Sequence, residues 1–159
     1  MEEEITRLVE KYSDMIFHIA LHNTGNYADA EDILQEVLMK CYINKIHLKK
    51  DEEEIKAWLI RVTINQCKDL HKASWNKKRS DTEIPEERNL FLAQEKRFSE
   101  EYMDVLDGLQ KLSFEERNII YLDYLGYKNR EIAKLMHINP NSVNTKLQRA
   151  KKIIQNYCV

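Results

Sequence analysis

The residues best suited to chemistry cluster near the C-terminal end of the chain. Between Asn139 and Ala150 stand Asn141, Ser142, Asn144, Thr145, Lys146, Gln148 and Arg149, interleaved with the apolar Val143 and Leu147. Short amides, hydroxyls and cations on one helix face suit base edges and phosphates in a major groove. Asn144 or Gln148 has the donor–acceptor pair that matches adenine, and Lys146 or Arg149 matches guanine or a phosphate. The plainer alternative is an amphipathic helix in an ordinary bundle. A second cationic stretch carries Arg61, Lys68, His71 and Lys72, interleaved with Trp58, Asn65 and Trp75. Cations beside aromatics and amides suit unstacked bases. Trp58 alone reads more readily as core than as a stacking platform.

Other chemistries find little support. The histidines His18, His22, His47, His71 and His137 stand in no suggestive motif with a serine or cysteine. Asp29, Glu31, Asp32 and Glu36 have the oxygen donors for a metal, but carboxylates at a helix start also complement its dipole or meet a partner. No metal and no cofactor is expected. Cys41, Cys67 and Cys158 are odd in number and far apart, against a disulfide framework or a zinc site. With Gly at 3, no G-x-G or G-x-x-x-x-G-K loop exists to cradle a phosphate.

Net charge is −2, yet the charges are segregated. Residues 61–79 hold six bases and one acid, residues 80–107 nine acids and three bases, and residues 128–159 seven bases and one acid. Two basic blocks flanking an acidic one suit two anion-binding surfaces on separate bodies; the plainer alternative is that the basic runs are merely solvated faces. The longest run without a formal charge is Met15–Ala28, too short for the roughly 20 apolar residues of a membrane span. Met1-Glu2-Glu3-Glu4 has the wrong charge for a secretory signal. A cytoplasmic protein without membrane insertion is expected.

Helices must position these residues. The chain has 159 residues, of which 43% are hydrophobic, 33% charged, and only 3 Gly and 2 Pro. So few turn formers argue against sandwiches and barrels. Ile5, Leu8, Val9, Tyr12, Met15, Ile16 and Ile19 form one stripe over Glu2–His22. Gly25-Asn26 breaks it. A second helix starts near Ala28, with Ala30, Ile33, Leu34, Val37, Leu38 and Cys41 inside. After a basic loop over Asn44–Lys50, Asp51-x-x-Glu54 resembles a capping arrangement for a third helix running to about Lys72. Ile55, Trp58, Leu59, Val62 and Gln66 mark its inner side. The polar stretch from His71 to Arg88 reads as linker, with a short helix around Leu90–Lys96. Tyr102, Val105, Leu106, Leu109 and Leu112 then give a new stripe. Ser113-x-x-Glu116 is a capping box, Gly126 a helix stop, and Lys128–Met136 a short helix. Asn139-Pro140 opens the last helix, to about Asn156. The pair around His137–Asn139 reads as a helix-turn-helix, with His137 where a glycine often stands.

These motifs, in this order, resemble those of the extracytoplasmic-function (ECF) sigma factors of bacterial RNA polymerase. Tyr27-Ala-Asp-Ala-Glu-Asp-Ile-Leu-Gln-Glu36 resembles region 2.2. Ala57-Trp-Leu-Ile-Arg-Val-Thr-Ile-Asn65, followed by Asp69, resembles regions 2.3–2.4. Leu112-Ser-Phe-Glu-Glu-Arg-Asn-Ile-Ile120 and the stretch Glu131–Ala150 resemble region 4. The resemblance implies an all-α fold of two small helical domains. Residues 1–75 would be region 2, residues 76–98 a polar linker, and residues 99–159 region 4. It implies that Asp29, Asp32, Gln35 and Glu36 meet the β′ clamp helices of core polymerase, with the β flap as a further contact. Arg61, Asn65, Lys68 and Lys72 would capture the −10 element. Lys128, Asn141, Ser142, Asn144, Thr145, Lys146, Gln148 and Arg149 would read the −35 element.

The chain departs from the family pattern at several positions, among them His137 and Asn141, which replace the small residues commonly found. In the loop that helps set −10 specificity, His47, Leu48 and Lys49 stand where an aromatic residue is common. The recognition face is richer in asparagine than in arginine. Since the sequence stops at Val159, no added sensory domain is expected, and control would fall to synthesis, proteolysis or an anti-sigma factor. The expected function is an alternative sigma factor that helps melt promoter DNA and catalyses nothing itself. The alternative is a helix-turn-helix regulator binding a palindromic operator as a dimer.

Overall fold

A computed structural model describes residues 2–49, 51–78 and 99–157. All regular structure among the described residues is helical, in two compact units. The first unit comprises α1 (Glu2–Thr24), α2 (Tyr27–Ile43), a single 3-10 turn (Ile46–Leu48) and α3 (Glu52–Lys78). The second comprises α4 (Glu100–Gln110), α5 (Phe114–Tyr124), α6 (Asn129–Met136) and α7 (Pro140–Tyr157).

Local chemistry explains the element boundaries. Glu2, Glu3 and Glu4 fill the first turn of α1, where the helix dipole favours negative charge. Gly25 stops α1 with φ 64°, a left-handed conformation that costs glycine little. Asn26 then caps α2, its side chain accepting the Asp29 N–H at 3.0 Å. The Asp51 carboxylate accepts from the Glu53 N–H at 3.0 Å at the start of α3. Ser99 Oγ caps α4 by accepting from Tyr102 N at 3.2 Å.

The capping box at α5 forms as the sequence implies. Ser113 Oγ accepts from Glu116 N, and Glu116 Oε1 from Ser113 N, each at 3.2 Å. Beyond α5, Tyr127 N donates to Leu122 O at 3.1 Å and Gly126 N to Asp123 O at 3.0 Å, with Gly126 at φ 100°. That pairing is a Schellman stop.

Each unit buries one seam per helix. In the first unit Leu8, Tyr12, Ile16 and Ile19 of α1 meet Ala30, Ile33, Val37 and Cys41 of α2 and Ile55, Leu59, Ile60, Ile64 and Cys67 of α3. Two features differ from expectation. The inner side of α3 keeps Ile55 and Leu59 of the stripe read in sequence but also buries Thr63, whereas Trp58, Val62 and Gln66 are only half-buried, as are Leu34 and Leu38 on α2. Helix α3 packs against both α1 and α2, so its buried face is wider than one stripe. Thr63 tolerates this because its hydroxyl donates to Leu59 O at 2.6 Å. Secondly, α3 runs to Lys78, so Trp75 lies within a helix. No Gly or Pro between residues 72 and 78 breaks it, and backbone hydrogen bonds need no apolar stripe. The expected linker beyond residue 78, its short helix over Leu90–Lys96, and Cys158 lie outside the described residues.

The second core gathers Leu106, Leu109 and Leu112, Ile119 and Leu122, Ile132, Ala133 and Leu135, and Val143, Leu147 and Ala150.

A polar clasp joins α1 to the start of α3. Glu52 accepts from the Tyr12 hydroxyl at 2.6 Å, from Arg7 at 2.6 Å and from Lys11 at 3.3 Å. The Tyr12 hydroxyl foremost, then Arg7, holds the Glu52 carboxyl down at about 2, against an ordinary 4.5. Burial, then Glu52, pushes the Tyr12 phenol up. Because the folded-state value of Glu52 is the lower one, its stabilisation is present above pH 4.5 and is lost as pH falls towards 2. Glu52→Gln is expected to lower stability at neutral pH and to lose less on acidification over that interval. Urea titrations of both proteins at several pH values check this.

Candidate nucleic-acid and partner interfaces

In the second unit the helix-turn-helix is built by the backbone around its turn. Lys128 N donates to Glu131 Oε1 at 3.0 Å at the head of α6. His137 ends α6 at φ 55°, the left-handed region, and Ile138 N reaches back to Ala133 O at 3.0 Å. Asn139 Oδ1 accepts from Asn141 N at 2.9 Å, and Pro140 takes the first position of α7, where no N–H is missed. The Ser142 hydroxyl donates to Asn139 O at 2.8 Å.

This turn sets the rotation of α7. Val143, Leu147 and Ala150 point into the core. Asn141, Asn144, Thr145, Gln148 and Arg149 are exposed, and Lys128 is exposed at the start of α6. Ser142 and Lys146 sit at the edge, half-buried. Lys146 is turned towards α5, where its ammonium meets the Glu115 carboxylate. Arg149 Nε lies 3.4 Å from Glu116 Oε2, with the arginine side chain 75% exposed. Lys151 Nζ lies 3.7 Å from Asp123. The outer-face reading of α7 therefore holds for five of its seven residues. The structure turns Ser142, in the first turn of α7, back onto Asn139 O and sets Lys146 against α5.

In the first unit Arg61, Asn65, Lys68 and Lys72 recur at alternating spacings of four and three along α3, so they share one face. Arg61 is half-buried and the others are exposed. Trp58 is half-buried one turn earlier on the same stripe, between the two roles considered for it.

On α2, Asp32, Gln35 and Glu36 are exposed and Asp29 is half-buried in the first turn. No group of three or more metal-ligating side chains forms among the described residues. Glu36 instead accepts from Gln66 Nε2, and Lys40 Nζ donates to Gln66 Oε1 at 2.6 Å. Both ends of one amide thus tie the acidic face of α2 to α3.

Two features escaped the sequence reading. Met39, Tyr42 and Ile43 are exposed large hydrophobics at the end of α2, followed by Leu48 in the 3-10 turn. Their spacing, out of phase with Val37 and Cys41, was the available signal. His47, placed by sequence in a loop, is 3% exposed, its ring stacked on Tyr42 at 6.2 Å between centroids.

These features define a helix-turn-helix protein with a second helical unit ahead of it, each unit presenting a polar and cationic helix face. The sigma-70 region 2 family matches residues 8–77, and sigma-70, region 4 matches residues 102–154. The chain belongs to the sigma-70 family, in its ECF branch. Among its relatives is the RNA polymerase sigma factor SigV of Bacillus subtilis, 27% identical over 140 residues (87% of this chain, 81% of SigV). The ECF RNA polymerase sigma factor SigL of Mycobacterium tuberculosis is 25% identical over 158 residues, 93% of this chain and 85% of SigL. The fold is shared with the sigma factor RpoE of Bartonella quintana, solved with the anti-sigma factor NepR. That match has a TM-score of 0.75 at 17% identity, over 96% of this chain and 94% of RpoE. CnrH, solved with the cytosolic domain of CnrY, matches with a TM-score of 0.65 at 19% identity, over 98% of this chain and 88% of CnrH.

His137 carries the one backbone cost in this motif. A β-carbon in the left-handed region costs roughly 1 kcal/mol that glycine avoids. His137→Gly is expected to stabilise the second unit by about that amount, read as a higher urea midpoint with an unchanged slope.

Proposed function

We propose that the chain is an alternative sigma factor that binds core RNA polymerase, recognises −35 and −10 promoter elements and promotes melting. The observation that carries this is the presence of both family regions, in order, each with an exposed helix face of the right chemistry.

On α2, Asp29, Asp32, Gln35 and Glu36 offer an acidic and amide surface to the β′ clamp helices of core polymerase, and region 4 meets the β flap. The stripe Arg61, Asn65, Lys68 and Lys72 on α3 captures the opened −10 strand. Its cations hold phosphates, and Asn65 has the donor and acceptor to hold an extruded base. Helix α7, with Asn141, Asn144, Thr145, Gln148 and Arg149, reads the −35 element in the major groove, with Ser142 and Lys146 at its edge and Lys128 on the flanking backbone. Bond-making belongs to the polymerase; this chain supplies binding and positioning, without metal or cofactor. The complexes of RpoE with NepR and of CnrH with CnrY support an anti-sigma factor as a further partner. Work in the cytoplasm follows from the family reading; no helix among the described residues is long and apolar enough to cross a membrane. A dimeric operator-binding regulator leaves the whole first unit without a task.

Run-off transcription tests the proposal. The protein is mixed with bacterial core polymerase and fragmented genomic DNA, and the transcript starts are sequenced. Discrete starts sharing upstream −35 and −10 elements are expected. No transcripts above core alone, with DNA binding retained by the free protein, would establish the dimeric regulator instead. Asn65→Ala is expected to reduce open-complex formation about ten-fold, the scale of one good base contact, while polymerase affinity changes less than about two-fold. Equal losses in both would remove Asn65 from strand capture.

A further inference from the structure

Helix α7 carries Lys146, Arg149 and Lys151, and each faces a carboxylate of α5: Glu115, Glu116 and Asp123 respectively. The three pairings are unequal. Arg149 is held loosely, through Nε only and at 3.4 Å, and its side chain is 75% exposed. Its terminal N–H groups stay available for a bidentate contact. Lysine has one compact ammonium and no such fork. The Lys146 ammonium is engaged by Glu115, with the two side chains only 36% and 43% exposed. What α7 leaves outward around it are the amides Asn141, Asn144 and Gln148, with Thr145 and Arg149.

We propose that Glu115 is a specificity-determining residue of the −35 site, because it withholds Lys146 from the groove. This rests on the reading of α7 as the −35 helix. Asn and Gln match the N6 and N7 edge of adenine, whereas Lys matches O6 and N7 of guanine. With Lys146 turned to α5, the surface presents adenine-reading groups and suppresses a guanine contact at the base beneath Lys146. Glu115 acts through Lys146 and touches no DNA itself. It is also separable from the fold: the capping box of α5 uses Ser113 and Glu116, so removing the Glu115 charge leaves that cap in place.

The test uses holoenzyme assembled from core polymerase and the full chain, with a promoter library randomised across the −35 element. Wild type, Glu115→Gln, Glu115→Ala and the double variant Glu115→Gln/Lys146→Ala are compared, with thermal midpoints measured alongside. Both single variants are expected to enrich guanine at one −35 position about three- to five-fold over wild type, the bias that an exposed ion pair exerts. Binding of the free chain to duplex DNA should also gain salt dependence equivalent to about one further phosphate contact. The double variant is expected to lose both gains. An unchanged base preference and salt slope in both single variants would overturn the proposal. So would a guanine gain that persists without Lys146. If wild type selects no −35 sequence at all, the reading of α7 fails, and the inference falls with it.

Discussion

The arrangement depends on one requirement: every helix must bury one apolar stripe, and short helices have little else with which to stabilise a fold. Ile16, Ile19, Ile55 and Leu59 are almost wholly removed from water in the first unit, as are Ile119, Leu122, Ile132 and Val143 in the second. A side chain of that size contributes roughly 1.5–3 kcal/mol when fully buried. Satisfying this seam fixes the rotation of each helix about its axis. The outer faces are then what remains, and they hold the charges that the sequence segregates. Function is therefore displayed on rigid helices rather than loops, which holds the contact residues to a tighter geometry.

Polar residues refine that arrangement at the helix ends. Glu116 is nearly buried, closes the capping box with Ser113, and also meets Arg149 of α7. One carboxylate thus starts α5 and makes a loose contact with the neighbouring α7. Glu52 plays a comparable part in the first unit, where it joins α3 to Arg7, Lys11 and Tyr12 of α1. Gln66 links Glu36 and Lys40 across α2 and α3, so the acidic face of α2 and the cationic face of α3 share a hydrogen-bonded joint.

For a sigma factor of the ECF branch this division of labour is economical. Each unit pairs a buried core with a polar and cationic helix face. The family assignment rests on both regions being matched in order, and the shared fold with RpoE and CnrH agrees with it. The individuality of this chain lies in its surface. The outer face of α7 is dominated by amides, and α5 supplies the carboxylates that hold its cations.

The sequence by itself determined the helices, their caps and the order of the motifs. Ser113 with Glu116, Gly126 and Asn139-Pro140 act within one turn of their own position, so short-range patterns reveal them. The face of α3 carrying Arg61, Asn65, Lys68 and Lys72 was legible for the same reason, since helical spacing alone places them together. Tertiary structure decided the rest. Thr63 is buried where Val62 and Gln66 are only half-buried because α3 meets two helices at once, and a single-stripe reading assumes one. Lys146 turned from the outer face of α7 because its counterion lies 31 residues away on α5. Burial and ion pairing depend on neighbours brought together by packing, and no local spacing in the chain encodes them.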